Sequence, residues 1–493
     1  MPDAPGNAAY ELAEGRRVYL AAPAGHGKTH AIAEAVRLAA PAHGRQLVLT
    51  HTHAGVHALE EKLTKLRVPR NRWRVATISG WAHKYAAAFR RVSGFPEEQP
   101  RGEGWDAVYP AAQACLRVPA IRDVLLATYG GVFVDEYQDC TTTQHELVMQ
   151  VAELLPCRVL GDPLQGIFEF AGPTVDLDKD LGSFSRLDPL ATPYRWINAG
   201  HQDLADWLRQ AREDLAAGRP VTLASPVVHV PTGHTELADH CRSLLGSEGN
   251  TVVAHRFPGQ AHHFAKGLGG RFRSMEEMDC SDLLDFAASL DAADPPGQAV
   301  ALIDHALRMT SNTGSVLGSL RDGIEGGNFR PSRYRANRDL AESLQAVLEA
   351  GGPAALSRSL SEVRALGGAT LFRQELFHET LRALKAMATG KYETFHAAAV
   401  EIRERTRHRG RVPDRFTSSR ILLIKGLEYR NAVVAKADEL GPKELYVALT
   451  RGSHTLAVQS ASQTITPAVR ATAVAAKPVA ALPSQQSLQM LFD

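Results

Sequence analysis

A chain of 493 residues exceeds one ordinary domain and implies two large units with insertions. Its 44% hydrophobic and 22% charged residues describe a soluble globular protein, and the absence of a signal-peptide pattern or a long apolar run argues against secretion and membrane spanning. The net charge of +1 requires any grip on a polyanion to come from a local groove, and five cysteines without a CxxC pair argue against a disulfide framework or zinc site and fit a reducing cytoplasm.

In chain order the first 190 residues alternate short β-branched runs with helix-like stretches. The runs are "RVYLAA", "QLVLT", "WRVATI", "GVFVD" and "CRVLGD", with "HAIAEAVRLAA" and "HALEEKLTKL" between them. This pattern predicts a parallel α/β sheet, whose ligands gather beyond the carboxyl ends of the strands.

The first strand runs into "AAPAGHGKTH", which reads A-x-x-G-x-G-K-T from Ala22. Gly25 and Gly27 let backbone N–H groups wrap a phosphate, Lys28 reaches the outer phosphates, and Thr29 offers a hydroxyl to Mg²⁺. An ordinary Gly-rich turn is the bland alternative, and the flanking strand and helix weigh against it. The strand "VFVDEYQDC" at 132 to 140 then ends in acids. A Mg²⁺-bound phosphate needs a carboxylate on a neighbouring strand and a group to orient the attacking water; Asp135 fits the first role and Glu136 the second. Asp139 is open between a site role and capping the helix that follows.

With these two motifs the chain resembles superfamily 1 DNA helicases of the UvrD/Rep/PcrA type, and further strings follow in the family's order. They are "LVLTHTHAGVHAL" (47 to 59), "ATISGWA" (76 to 82), "GDPLQGIFEFAG" (161 to 172), "TPYRWIN" (192 to 198), "KGLEYRNAVV" (425 to 434) and "ELYVALTRG" (444 to 452). The resemblance implies an α/β fold of two RecA-like parallel-sheet domains with small, mostly helical insertions. Residues 1–85 and 129–190 would form the first domain with 86–128 inserted. Residues 191–275 and 412–462 would form the second, with 276–411 inserted.

The resemblance also implies ATP and Mg²⁺ as cofactors. Ala22, Pro23, Ala24, Gly25, His26, Gly27, Lys28, Thr29 and His30 would form the phosphate loop, with Thr29 and Asp135 on the metal. Gln165 would sense the γ-phosphate, Arg195 and Arg451 would reach it from the second domain, Tyr194 would stack on the base, and Gly426 and Glu428 would approach ribose and phosphates. His51, His53, Trp81, Phe168 and Phe170 occupy positions facing single-stranded DNA, where base stacking and core packing are both open.

The sequence departs from the family in several places. No Gln precedes residue 46, so the upstream Gln that recognises adenine is missing, and Leu422 stands where the motif before Lys425 usually has His. The compact plan resembles the small UvrD-like helicase subunits of bacterial anti-phage systems of the Gabija type, which implies an OLD-type nuclease partner; a housekeeping repair helicase is the direct competitor. From about 463 the chain is rich in Ala, Val, Thr and Pro and reads as a flexible tail, 463–493. Within it Gln485, Leu488, Leu491 and Phe492 resemble a sliding-clamp-binding peptide, with a self-docking or fraying tail as the alternative. The expectation is a cytoplasmic ATP-dependent helicase or single-stranded DNA translocase moving 3′ to 5′. The other reading is a nucleotide-gated regulatory subunit that does not unwind.

Overall fold

The computed structural model describes residues 5–95, 100, 102–168, 172–233, 235–277, 280–409 and 414–468. The first sheet holds β1 (Arg17–Ala21), β2 (Gln46–Thr50), β3 (Trp73–Thr77), β4 (Gly131–Val134), β5 (Cys157–Gly161) and β6 (Ser185–Leu187). They lie in the order β3-β2-β4-β5-β1-β6, all parallel. The central strands β2, β4 and β5 are buried along their whole length, which is why they read as continuous apolar runs rather than as alternation.

Beyond them come β7 (Val221–Thr222), β8 (Val228–Pro231), β9 (Thr251–His255), β10 (Arg273–Ser274), β11 (Thr310–Ser311), β12 (Thr370–Leu371), β13 (Phe416–Arg420), β14 (Tyr429–Val434), β15 (Gly452–Ser460) and β16 (Thr464–Ile465). Six of these form a second parallel sheet in the order β10-β13-β9-β14-β15-β8. The fold is therefore α/β, two parallel sheets in one chain. Among the described residues the chain passes from the first sheet to the second only once, through the short stretch 188 to 193.

Helices follow the strands as the apolar pattern requires. The first helix, α1 (Pro5–Glu14), precedes β1; α2 (Lys28–His43) follows it, and α3 (His53–Lys65) follows β2, capped by Thr52, which accepts from the Gly55 amide at 3.1 Å. The helix after the acidic strand end, Thr142–Leu154, is capped by Thr141 in a capping box with Gln144, so Asp139 is not its cap.

The helices Arg90–Ser93, Val108–Leu116 and Pro119–Thr128 adjoin the first sheet, and the last two share one of its hydrophobic cores. The helices between β10 and β13 instead bury a core of their own around Leu302, Leu320, Leu344, Leu360 and Phe377. At the root of that helical body two arginines are buried with acids. Arg373 binds Glu276 at 2.8 Å and Asp282 at 2.7 Å, and Arg403 binds Glu375 at 2.7 Å and Glu379 at 2.8 Å. Arg420 at the end of β13 joins Glu277 at 3.2 Å. Two buried arginines with hydrogen-bonded acids hold the body to the second sheet in one arrangement, because neither charge tolerates separation. Among the described residues no helix is long and apolar enough to cross a membrane.

Candidate nucleotide site

The turn from β1 to α2 supplies the centre of the site. Gly25 and Gly27 adopt φ of 72° and 84°, a region that glycine enters without steric cost, and α2 starts at Lys28 with no side chain capping its N-terminus. Free amide donors and the positive end of the helix dipole thus face outward, as a phosphate requires. A Cβ on Gly25 would stand 2.5 Å from the Trp196 ring and one on Gly27 3.3 Å from the Tyr194 ring, so glycine is also what lets the second half of the chain close against the loop.

A cleft of 560 Å³ opens here between the two sheets. Its walls include residues 23 to 30, Glu136, Gln165, Tyr194, Arg195, Gly426, Glu428 and Arg451. Ala22 and Asp135 lie buried just behind it. The carboxyl end of β4 turns sharply at Glu136, whose φ of 55° is left-handed, and this aims its carboxylate at the phosphate loop. Glu136 forms an ion pair with Lys28, and Asp135 lies 3.6 Å from the same ammonium.

A second lysine enters from the other sheet. Lys425, after β13, forms an ion pair with Asp139, approaches Glu136 at 3.6 Å, donates to the Gln165 carbonyl at 2.6 Å and sits 5.3 Å from the Phe168 ring centre. Burial disfavours charge on Glu136, but Lys28 and Lys425 outweigh it and hold the carboxyl well below the usual range. Burial pushes Asp135 up to about 6 against the pull of Lys28, and Asp139 up to about 6 against that of Lys425. Burial likewise opposes the charge on Lys28, yet Glu136 and Asp135 raise its pKa above the ordinary value.

Gln138 ties this cluster to the next strand, donating to Glu136 and accepting from the Asp162 amide at 2.9 Å. Asp162 in turn accepts from the Gln165 amide at 2.8 Å and pairs with Arg212 of the second half at 2.7 Å. Across the cleft Arg195 pairs with Glu428 at 2.6 Å and donates to the Thr450 carbonyl at 2.5 Å. Arg451 is buried on backbone carbonyls, donating to Val447 at 2.8 Å and Leu427 at 3.3 Å; burial, reinforced by Arg195, lowers its pKa to about 10.

The donor set suits a magnesium nucleotide. Thr29 is in the cleft wall, and Asp135 lies buried behind it with its proton affinity raised, a state that a nearby dication would relieve. Among the described residues no group of three or more His, Cys, Asp or Glu is placed to hold a metal without a ligand's help.

The positions expected to face DNA divide. Trp81 is 3% exposed in the core beside Tyr85 and presents no stacking face. His51 is half-buried and contacts the Cys140 sulfur at 3.6 Å; burial, then Lys425, pushes its pKa down to about 3. His53 begins α3, half-buried, and Phe168 is likewise half-buried beneath Lys425. Phe170 and the tail residues Gln485, Leu488, Leu491 and Phe492 lie outside the described residues.

Four side chains important to the geometry escaped the reading of motifs. Lys425 stands inside "KGLEY", where the Gly and Glu drew attention. Arg212 lies on an amphipathic helix, Gln202–Ala216, with no motif around it. Asn7 and Glu11 of α1 reach the cleft from a segment before the first recognised string.

Two parallel sheets thus close on one phosphate loop, with arginines of the second half of the chain in the same cleft. Residues 7–171 match the family model described as an AAA domain, a third of the chain that covers the phosphate loop and the acidic strand end. A solved structure titled as the crystal structure of Pif1 helicase from Candida albicans aligns at 12% identity and a TM-score of 0.28. That alignment spans 50% of this chain and 54% of the other, about half of each. No curated protein sequence matches this one.

Proposed function

We propose that this chain is an ATP-dependent motor on single-stranded DNA, a helicase moving 3′ to 5′. One observation carries the reading. A single acidic cluster, Glu136 to Asp139, is gripped by Lys28 of the phosphate loop and by Lys425 of the opposite sheet. Any nucleotide that draws Lys28 onto its phosphates releases part of that cluster and changes what holds the sheets together.

Lys28 and the amides at the start of α2 bind the phosphates, and Thr29 with Asp135 would hold Mg²⁺. The ion would neutralise charge on the transferring phosphoryl group. Glu136, freed from Lys28, orients the attacking water. Arg195 and Arg451 approach the phosphoryl group from the second sheet once they exchange Glu428 and the backbone carbonyls for phosphate oxygens. Gln165, hydrogen-bonded to Asp162 and Lys425, reports the change to the second sheet.

The test pairs two measurements: ATP hydrolysis with and without single-stranded DNA, and unwinding of a duplex with a 3′ tail. Hydrolysis stimulated by DNA together with unwinding supports a helicase. Absence of hydrolysis sinks the motor. A second reading, a nucleotide-gated subunit that binds DNA or a nuclease without unwinding, is favoured by burial of the Trp81 ring and by the contact of His51 with the Cys140 sulfur. DNA-stimulated hydrolysis without unwinding would select a translocase or that subunit. An OLD-type nuclease bound to the chain would place it in defence, and a clamp bound through the tail would place it in repair.

A further inference from the structure

We propose that Arg212, which lies outside every recognised string, is a positioning residue: through Asp162 and Tyr446 it holds Arg195 and Arg451 in register with Gln165. The inference rests on the motor reading above and names the contact that sets the rate of its chemical step.

Three elements meet at this side chain. Asp162 directly follows β5 and is fully buried. One of its carboxylate oxygens accepts from the Leu164 backbone amide at 3.2 Å and the other from the Gln165 side chain at 2.8 Å. Arg212 Nη1 bridges both, at 2.7 Å from the first and 2.9 Å from the second. The helix that carries Arg212, Gln202–Ala216, buries Leu208, Ala211 and Leu215 in a core of the second half, so the guanidinium crosses from one half of the chain to the other. It also lies 5.1 Å from the ring centre of Tyr446, on the helix Pro442–Leu449, which packs on the turn Pro163–Gln165. Burial disfavours the charge on Arg212, but Asp162 and then Tyr446 outweigh it.

Each neighbour leads to one of the arginines assigned to the phosphoryl group. Gln202–Ala216 follows the helix Tyr194–Ala199 across a tight corner, where Gly200 takes φ of 80° and the His201 amide donates to the Trp196 carbonyl at 2.9 Å. That corner ties Arg195 to the helix of Arg212. The Tyr446 carbonyl accepts from the Thr450 hydroxyl at 3.0 Å, and Thr450 adjoins Arg451. Parting a buried carboxylate from its cation is costly, so a shift of Gln165 toward a γ-phosphate carries Asp162 and Arg212 with it. Without Arg212 the second half could approach with its arginines out of line, and a misplacement of about 1 Å costs as much as 10²-fold in rate. A contact that only glued the halves together would affect stability and leave the chemical step intact.

Steady-state ATP hydrolysis by the full chain, with single-stranded DNA present, separates the two roles. Arg212→Met keeps the stem beside Tyr446 and removes the charge. The expected result is a fall in kcat of about 10- to 100-fold, with KM and the affinity for a fluorescent ATP analogue within about twofold of the unaltered chain. Asp162→Asn, made in the other half, should lower kcat likewise, and the double variant should be little worse than either single one. Urea denaturation shows whether each variant is folded; should Arg212→Met not fold, Asp162→Asn carries the same readout. Unchanged kcat, a loss confined to KM or to stability, or fully additive losses in the double variant would overturn the inference while leaving the motor standing. Absence of hydrolysis in the unaltered chain would overturn both.

Discussion

At the scale of single residues the central group is Glu136, a carboxylate on left-handed backbone between two lysines. Glu136→Gln keeps the shape and removes the base. Turnover should fall by about 10²–10⁴-fold while a fluorescent ATP analogue binds as before. Retained turnover would remove Glu136 from its role. Lys425 and Asp139 invite a double-mutant cycle with Lys425→Ala and Asp139→Asn, read by urea denaturation. Their pairing across the cleft should give a coupling of about 1–3 kcal/mol, and a coupling near zero would mean the contact does not hold the sheets. The phosphate loop and the acids of β4 were legible in the sequence because short-range geometry requires those residue types at those spacings. Lys425 was not, since its importance comes from a contact spanning nearly three hundred residues of chain. The sequence leaves Asp139 open between a site role and a helix cap; the structure gives the cap to Thr141 and pairs Asp139 with Lys425.

At the scale of elements the strands were readable, and the helical body was readable as helices but not in its packing. Buried parallel strands announce themselves as apolar runs ending in polar clusters, whereas the helices between β10 and β13 show only amphipathic periodicity, which fixes helices but not how they pack. Their root is the ion network, and Arg403→Ala would leave Glu379, 1% exposed, without its cation. That change should cost about 3–5 kcal/mol in chemical denaturation. The same body contains His305, stacked on Phe286 with ring centres 4.0 Å apart and bonded to Thr380 at 2.9 Å. Burial pushes its pKa from 6.5 down to about 3. The unfolded chain therefore takes up a proton that the folded one refuses, and stability present above pH 6.5 is lost as pH falls toward 3. His305→Phe keeps the stack and should flatten the decline of stability between those limits, by up to about 1.4 kcal/mol per pH unit. An unchanged slope would exclude His305 as a source of acid lability.

At the scale of the molecule, nucleotide binding should draw the sheets together, because phosphate entering the cleft would meet cations from both sides and the start of α2 together. The stretch between the sheets, "DPLATP" at 188 to 193, carries a proline near each end. Replacing Pro189 and Pro193 with Gly should weaken ATP binding by about 1–2 kcal/mol through lost pre-ordering, measured by titration calorimetry. Affinity equal to that of the unaltered chain would show that the link is passive. Asp188 to Thr192 are also part of the cleft wall. On the proposed reading, a turn of the halves about this stretch would be driven at the cleft wall itself, so a bound nucleotide would act on the pivot directly, without transmission through the body of either sheet.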